Sequence, residues 1–437
     1  MDGNRRTAFE ALLQIEKNQS YSNLELNRQI QERRPDAPAL VRELVYGVLE
    51  NQIYLDHLLG QLIPKGLSGV KKPVKILLRM GLYQLIFMDS VPDYAAVSET
   101  VKLARKAARG RDGFVNGVLR SYGRRKDELT LPDRTTEPLE YLSVRYSCDL
   151  WIVKLWAEQY GLEKTESLLT AGNRRPELSI RVNLLKTSRQ DLMEELSNKG
   201  FSVRPYEESP RVLFVKGSGL LETEAYSKGL FSVQDAASVL AAELMGPEPG
   251  EIVYDICAAP GGKTLAMAEM MENRGLIRAF DIYPHKLALI EKEAVRLGVS
   301  LIETETKDGT AACRALDQTA DRVLVDGPCS GLGVIRRKPE IKYKSICDQG
   351  RSLAEKQLQL LREASRYVKN GGHLLYSTCT INQIENQQTV ERFLAENDDF
   401  RLEKMLQLLP DEGEHDGFFI CRMQRSAGKG DMDGSRL

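Results

Sequence analysis

Short apolar runs alternate with amphipathic stretches from Gly229 onward, and this alternation constrains the fold of the 437-residue chain more than any other feature. The runs are almost entirely apolar, as in strands buried on both faces, and the stretches between them have the three- and four-residue spacing of helices. Repeated strand–helix units predict a mostly parallel, doubly wound α/β sheet. The strand candidates are Ile252–Cys257, Leu276–Ile282, Val299–Thr304, Arg322–Asp326, His373–Thr378 and Phe418–Met423, and the helix candidates are 263–272, 284–297, 350–369 and 383–396.

Residues 1–126 have a different pattern, which predicts an all-α helical bundle. Apolar residues recur at helical spacing within 8–15, 40–49 and 74–86, and prolines and glycines separate these stretches. A last helix is predicted from about Ala96 to Tyr122, with a series of lysines and arginines along it.

The formal net charge of -1 hides an uneven distribution of charge. Residues 1–126 carry 21 Lys and Arg against 13 Asp and Glu, and the remaining 311 residues carry 40 against 49. A basic segment on an acidic body indicates a module that binds a polyanion such as RNA. A solvated helical surface rich in lysine and arginine would give the same composition.

The rest of the chain completes a multidomain organisation. Residues 127–165 are interpreted as a linker and helical segment, and 166–228 as a small α+β (RRM-like) module in which Leu178–Asn183 alternates like a strand. The predicted doubly wound domain occupies 229–424, and 425–437 form a polar tail.

Composition excludes several classes of protein. The chain contains no apolar run long enough for a membrane helix and no apolar segment after its N-terminus of the kind that a secretory signal has. Its seven cysteines are scattered without a CxxC pair, which argues against a disulfide framework and against a zinc site. We therefore expect a cytoplasmic protein with free thiols, no metal and no membrane partner.

The segment Asp255–Thr264 predicts a nucleotide-binding loop at the end of the first strand of the doubly wound sheet. A Walker A motif would need glycine where Cys257 stands, and the GxGxxG pattern is absent. What remains is a turn of small residues that opens a helix with an electropositive N-terminus. That arrangement suits a nucleoside carrying a carboxylate, as in S-adenosylmethionine. The candidate cofactor-binding residues of this loop are Cys257, Ala258, Ala259, Pro260, Gly261, Gly262 and Lys263.

Two aspartates follow at the ends of the next strands. Asp281 is placed to accept hydrogen bonds from both ribose hydroxyls, and Asp308 to receive the adenine amino group. Taken singly, each aspartate is more often a helix cap or a turn residue. At successive strand ends beside the small-residue loop, they favour a cofactor site.

Two cysteines fall at the same predicted edge of the sheet, in Asp326–Gly331 and Tyr376–Thr380. A cysteine after a strand is usually a small buried apolar residue, so Cys329 or Cys379 alone would mean little. Together they suit methylation at carbon 5 of cytosine, since a thiolate that adds to carbon 6 makes carbon 5 nucleophilic. Asp326 can orient the base and assist its protonation, and it is also a candidate cofactor-binding residue. The target base must leave its helix or loop to enter such a site.

Residues 229–423 resemble the RNA cytosine-5 methyltransferase family of the Nop2/Sun (Fmu) type. The likeness rests on Gly229–Ser238, Cys257–Thr264, Asp281, Asp308-Gly309, Asp326–Gly331, Thr378-Cys379 and Asp416–Phe419. The resemblance implies a Rossmann-like domain that uses S-adenosylmethionine, with Cys379 as the nucleophile and Cys329 assisting product release. Spacing alone does not separate those two roles. Gly327 and Thr380 stand where alanine and serine are common in the family.

The N-terminal region is similar to NusB, an RNA-binding helical bundle, in Arg42–Leu49 and Phe114–Arg120. A NusB-like module joined to this catalytic domain is the layout of a bacterial enzyme that acts on 16S ribosomal RNA. The resemblance therefore implies a 16S rRNA (cytosine-C5)-methyltransferase that binds 16S rRNA, free or in an early small-subunit particle, and not DNA.

Two other functions compete with this interpretation. A non-catalytic RNA-binding or antitermination protein built around the helical bundle would need neither the loop at 257–263 nor the two cysteines. A methyltransferase acting on DNA would use Cys329 for attack, and Cys379 would be dispensable.

Overall fold

The computed structural model describes residues 2–18, 22–344 and 348–426. The chain divides into two compact units, Met1–Arg174 with Ile335–Ser345, and Arg175–Val334 with Ile346–Leu437. No helix in the described ranges is long and apolar enough to cross a membrane.

The first unit is a helical bundle around one apolar core, as the spacing of apolar residues predicts. The predicted single helix from Ala96 to Tyr122 is wrong, because the chain breaks at Gly110, where φ is 75°. Two helices stand there instead. The helices of this unit are α1 Gly3–Asn18, α2 Ser22–Arg33, α3 Pro38–Glu50, α4 Gln52–Leu62, α5 Lys72–Phe87, α6 Asp93–Ala107, α7 Asp112–Arg125, α8 Pro138–Arg145, α9 Leu150–Tyr160 and α10 Leu162–Gly172.

A segment from far along the sequence is built into this helical unit. Its short 3-10 helix, Pro339–Tyr343, is mostly buried. The Ser22 hydroxyl donates to Glu340 over 2.7 Å, and the Lys342 ammonium donates to the Glu50 carbonyl over 3.0 Å. The helical unit is thus completed by residues that follow the Cys329 loop in the sequence.

The second unit begins with a four-stranded antiparallel sheet in the order β2-β3-β1-β4. Leu192 and Leu196 of the helix that follows β1 pack on one face of this sheet. The elements are β1 Leu178–Val182, α11 Arg189–Asn198, β2 Ser202–Tyr206, β3 Ser209–Lys216, α12 Glu224–Ser227 and β4 Phe231–Val233.

A seven-stranded sheet in the order β10-β11-β9-β8-β5-β6-β7 forms the centre of the second unit. The strands are β5 Ile252–Asp255, β6 Leu276–Asp281, β7 Ile302–Thr306, β8 Ala320–Asp326, β9 Val368–Thr378, β10 Phe400–Leu408 and β11 Phe418–Arg425. Strands β5 to β9 pair with one another in parallel, and β11 is antiparallel to both β9 and β10. From β5 the chain adds β6 and β7 on one side, and it then returns to place β8 and β9 on the other side of β5. The order of the strands therefore reverses between β5 and β8.

Helices cover both faces of this sheet, and its central strands β5, β6 and β8 are accordingly mostly buried on both sides. The predicted doubly wound domain is confirmed. Sequence patterns missed α13 and β10, the latter because most of its side chains are at least partly exposed. The helices are α13 Ala236–Met245, α14 Gly262–Met270, α15 Pro284–Leu297, α16 Arg351–Tyr367 and α17 Gln387–Glu396.

A buried ion pair joins the small sheet to the large one. Arg181 on β1 contacts Glu269 on α14 through two hydrogen bonds of 3.0 and 2.8 Å, and both side chains are fully buried. The Arg181 guanidinium also donates to the Gly262 carbonyl over 2.9 Å, at the first residue of α14. The small module thereby fixes the start of the helix that follows the predicted cofactor loop.

We predict that Arg181→Met lowers the free energy of unfolding by about 3–5 kcal/mol, because it leaves the Glu269 carboxylate buried without its partner. The double variant Arg181→Met/Glu269→Leu should recover most of that loss. Urea unfolding followed by circular dichroism measures both. The control is Arg362→Met, which breaks the exposed two-point pair with Glu396 and should cost less than about 1 kcal/mol. Equal losses in the buried and exposed variants would contradict this account.

Candidate active site

The candidate site lies at the carboxyl ends of β5, β8 and β9, where the strand order reverses. Open α/β sheets bind ligands at this point, because the loops that leave the two neighbouring strands diverge and open a crevice. The end of β5 carries Asp255 and the cofactor loop, the end of β8 carries Asp326, and the end of β9 precedes Cys379.

A cavity at this edge brings together five of the residues predicted from the sequence, namely Cys257, Ala259, Asp281, Asp308 and Asp326. The other predicted loop residues, Ala258, Pro260, Gly261, Gly262 and Lys263, are not among the residues that line it. They form the rest of the loop after β5 and the first residues of α14.

Asp281 is mostly buried, and backbone N–H groups orient its carboxylate. Oδ1 accepts from the Tyr283 N–H over 2.9 Å and Oδ2 from the Ala259 N–H over 3.3 Å. Asp308 is exposed, and Thr310 donates to its Oδ1 through both N–H and hydroxyl, which lowers the pKa of that carboxyl. Both aspartates therefore present acceptors at the cavity wall.

Two glycines let the backbone pack closely at the cavity. Gly261 has a φ of 100°, and a Cβ there would lie 2.8 Å from Ile290 Cγ1. A Cβ on Gly309 would lie 2.6 Å from Ile256 Cγ2. Larger residues at either position would push the loops apart and change the shape of the cavity.

Lys263 does not line the cavity, and its side chain binds Asp326 instead. Its ammonium donates to Asp326 Oδ2 over 2.6 Å and lies 4.8 Å from the centre of the Phe418 ring. The Ser377 hydroxyl donates to Asp326 Oδ1 over 2.8 Å. The Asp326 carboxylate is thus fixed from both sides before any base arrives.

Two other titratable groups at the end of β5 are structural. Asp255 is buried and accepts from the Thr264 hydroxyl over 2.7 Å, and burial raises its pKa to about 7. Burial likewise raises the pKa of the Cys257 thiol. Cys257 is therefore a poor nucleophile.

The sulfur atoms of Cys329 and Cys379 lie 3.2 Å apart, and both residues are partly exposed. The hydrogen bond between the two thiols raises the pKa of Cys329 well above its ordinary value, and burial adds to the effect. Cys329 is therefore a protonated thiol at neutral pH, in contact with Cys379.

Sequence reasoning missed several residues of the site. Ile282 and Tyr283 line the cavity next to Asp281 with more than two fifths of their surface exposed, and Lys356 reaches it from α16. Ile282 and Tyr283 could have been found from the sequence, because they are apolar residues directly after Asp281, which is predicted to bind the ribose. An apolar wall beside an acidic acceptor fits a nucleoside, with its base against the wall and its ribose at the carboxylate. Lys356 carries no signal in the sequence.

The fold and this site define the class of S-adenosylmethionine-dependent methyltransferases, and family models agree. Residues 242–424 match the model described as 16S rRNA methyltransferase RsmB/F, 2–124 match the NusB family, and 149–220 match the ferredoxin-like domain of RsmF/B-like methyltransferases.

Full-length relatives carry the same description. The chain is 40% identical over 443 residues to the "Probable ribosomal RNA small subunit methyltransferase B" of Bacillus subtilis, covering 96% of this chain and 98% of that one. It is 32% identical over 440 residues to the "Ribosomal RNA small subunit methyltransferase B" of Shigella sonnei, with the same coverage. Among solved structures, PH0851 matches with a TM-score of 0.83 and 26% identity, over 97% of this chain and 98% of that one.

The chain belongs to the RsmB/F family of 16S rRNA methyltransferases. It is accordingly an rRNA methyltransferase that uses S-adenosylmethionine, and the resemblance seen in its motifs is confirmed, as is the cofactor.

Proposed function

We propose that this enzyme methylates carbon 5 of a cytosine in 16S rRNA through a covalent bond between Cys379 and carbon 6 of the base. The observation that carries the proposal is the pair of thiols 3.2 Å apart at the ends of two adjacent strands, next to a fixed Asp326 carboxylate. An oxygen or an exocyclic nitrogen can take a methyl group without help from an attacking side chain of the enzyme, whereas carbon 5 needs one. Two adjacent thiols therefore favour methylation at carbon 5.

The cofactor-binding roles follow from the cavity lining. S-adenosylmethionine, when bound, supplies an electrophilic methyl group. Asp281 would accept hydrogen bonds from its ribose hydroxyls, Asp308 would accept from its adenine amino group, and Ile282 and Tyr283 would provide an apolar wall for the adenine. The loop 257–263 brings the backbone and the N-terminus of α14 close to the carboxylate end.

The two cysteines divide the reaction between them. The Cys379 thiolate adds to carbon 6, while Asp326 orients the base at ring N3 and its exocyclic amine. Once carbon 5 carries the methyl group, its proton passes to water and the electron pair of that C–H bond re-forms the carbon 5–carbon 6 double bond. The Cys379–carbon 6 bond breaks in the same step, and its electron pair leaves with the Cys379 sulfur. Cys329, protonated and in contact with Cys379, assists that release.

We predict that RNA carrying 5-fluorocytosine at the target traps the wild-type enzyme as a covalent adduct, because fluorine at carbon 5 cannot leave as a proton does. Cys329→Ser should still form the adduct, and Cys379→Ala should not. Denaturing gel electrophoresis in the presence of S-adenosylmethionine measures both. An adduct in Cys379→Ala and none in Cys329→Ser would reverse the roles and favour the chemistry of a DNA-type enzyme.

The helical unit offers a surface for the RNA, in a groove between α5, α6 and α7. Arg120 and Arg124 on α7 line this groove, are exposed, and make no hydrogen bond or ion pair within the described ranges. Tyr94 lines it too and is 79% exposed. Unpaired guanidinium groups beside an exposed aromatic ring suit a single-stranded polyanion, with phosphates on the arginines and a base on the ring.

We predict that Arg120→Ala/Arg124→Ala weakens binding of a 16S rRNA fragment and lowers the slope of log K against log salt concentration by about 1.4, the value for two lost contacts with single-stranded RNA. Filter binding over a range of salt concentrations measures the slope. The control is Arg6→Ala/Lys17→Ala, which removes two exposed charges of α1 outside the groove. An unchanged slope in the groove variant, or an equal drop in the control, would contradict this surface.

The substrate we propose is 16S rRNA, free or in an early small-subunit particle, and the reaction takes place in the cytoplasm. A groove that recognises a single strand is consistent with RNA that is not yet fully folded. We propose neither DNA nor a membrane as a partner of the enzyme.

A further inference from the structure

Glu385 is fully buried directly beneath the two cysteine loops, and it has no role in the chemistry described above. Its carboxylate accepts from the Ser330 N–H over 2.8 Å and from the Ser330 hydroxyl over 2.5 Å. It also accepts from the side-chain amides of Asn382 over 3.0 Å and Gln357 over 3.2 Å. Ser330 directly follows Cys329, and Asn382 lies three residues after Cys379, so this carboxylate binds both loops.

Other hydrogen bonds make the two loops one structure around Glu385. The hydroxyls of Ser330 and Thr380 lie 2.8 Å apart, and the Gly333 N–H donates to the Cys379 carbonyl over 3.1 Å. The Tyr376 hydroxyl donates to the Glu385 carbonyl over 2.7 Å. The distance between the two sulfur atoms therefore depends on where this carboxylate holds Ser330.

The contacts of Glu385 also affect the surroundings of the Cys329 thiol. The N–H and hydroxyl of Ser330 are the nearest donors along the chain to Cys329, and both are directed to Glu385 instead of to the sulfur. The negative charge of Glu385 helps to raise the pKa of Cys329, after the larger effects of the Cys379 contact and burial. The Gly331 N–H acts in the opposite direction with a smaller effect.

Burial raises the pKa of Glu385 itself, and the hydrogen bonds from Ser330, Asn382 and Gln357 oppose that rise. These donors are neutral, so the carboxylate is stabilised by hydrogen bonds rather than by a cation.

We infer that Glu385 is the positioning residue of the two-cysteine site: it holds the Cys329 loop against the Cys379 loop by binding Ser330 on one side and Asn382 on the other, and its charge lies next to the Cys329 loop. This inference rests on the proposed two-cysteine reaction and extends it. A thiol held neutral can supply a proton as Cys379 leaves, whereas a second thiolate 3.2 Å away could not.

The test compares Glu385→Gln, which keeps the shape and removes the charge, with Glu385→Asp, which keeps the charge. Each is made in a Cys379→Ala background, and alkylation of Cys329 by iodoacetamide is followed by mass spectrometry across pH. Glu385→Gln should alkylate Cys329 several times faster than the parent at pH 8, because removing the neighbouring negative charge increases the thiolate fraction of Cys329. Glu385→Asp should stay close to the parent.

The matched measurement uses Cys379 in a Cys329→Ser background, where Glu385→Gln should change the alkylation rate less than about twofold, since the carboxylate binds the residue next to Cys329 directly and reaches the Cys379 loop through Asn382, three residues further along. Equal acceleration at both cysteines would mean that the variant only loosens the fold, and equal acceleration by Gln and Asp would exclude the charge. Either result overturns the inference.

Ser330→Ala keeps the test possible if Glu385→Gln does not fold. It removes one donor from the carboxylate and leaves the charge in place, so Cys329 alkylation should stay slow while kcat falls and KM is unchanged. Fast alkylation of Cys329 in Ser330→Ala would contradict the inference. The alkylation experiments need neither RNA nor cofactor, so they remain interpretable if the 5-fluorocytosine adduct does not form.

Discussion

The parallel pairing of β8 with β9 is the constraint on which the rest of the site depends. It sets Asp326 opposite Ser377, two residues before Cys379, and so brings the two cysteine loops side by side. The Gly327 N–H donates to the Ser377 carbonyl over 3.2 Å and extends this pairing past the ends of the strands. A shift of one residue in this register would turn one of the two loops away from the other, because successive side chains point to opposite faces of a sheet.

The contacts of each side chain then give the carboxylates and thiols at this edge of the sheet different surroundings. Lys263 and Ser377 hold the Asp326 carboxylate in one orientation, while Glu385 is surrounded by neutral donors below Cys329. Asp255 and Cys257, a few residues away, are kept from reacting by burial. The carboxylates and thiols at this edge of the sheet thus have different surroundings, which follow from their contacts.

Much of this organisation could be predicted from the sequence. Apolar runs between amphipathic stretches predicted the doubly wound sheet, and the strand ends predicted that Asp281, Asp326, Cys329 and Cys379 lie at one edge. Local patterns could not reveal long-range packing: Pro339–Tyr343 is buried in the helical unit, and no spacing in the sequence indicates that. Glu385 was missed for a similar reason, because a glutamate in a polar stretch looks exposed until the loops that bury it are in place.

The central claim is that Cys379 makes this chain a cytosine-5 methyltransferase of 16S rRNA. Bisulfite sequencing of ribosomal RNA from cells with and without the gene, complemented by wild type or by Cys379→Ala, tests it most directly. We expect one cytosine of 16S rRNA to read as methylated with the wild-type gene and as unmodified both without it and with Cys379→Ala. An unchanged 16S pattern in cells without the gene, or full methylation by Cys379→Ala, would contradict the account.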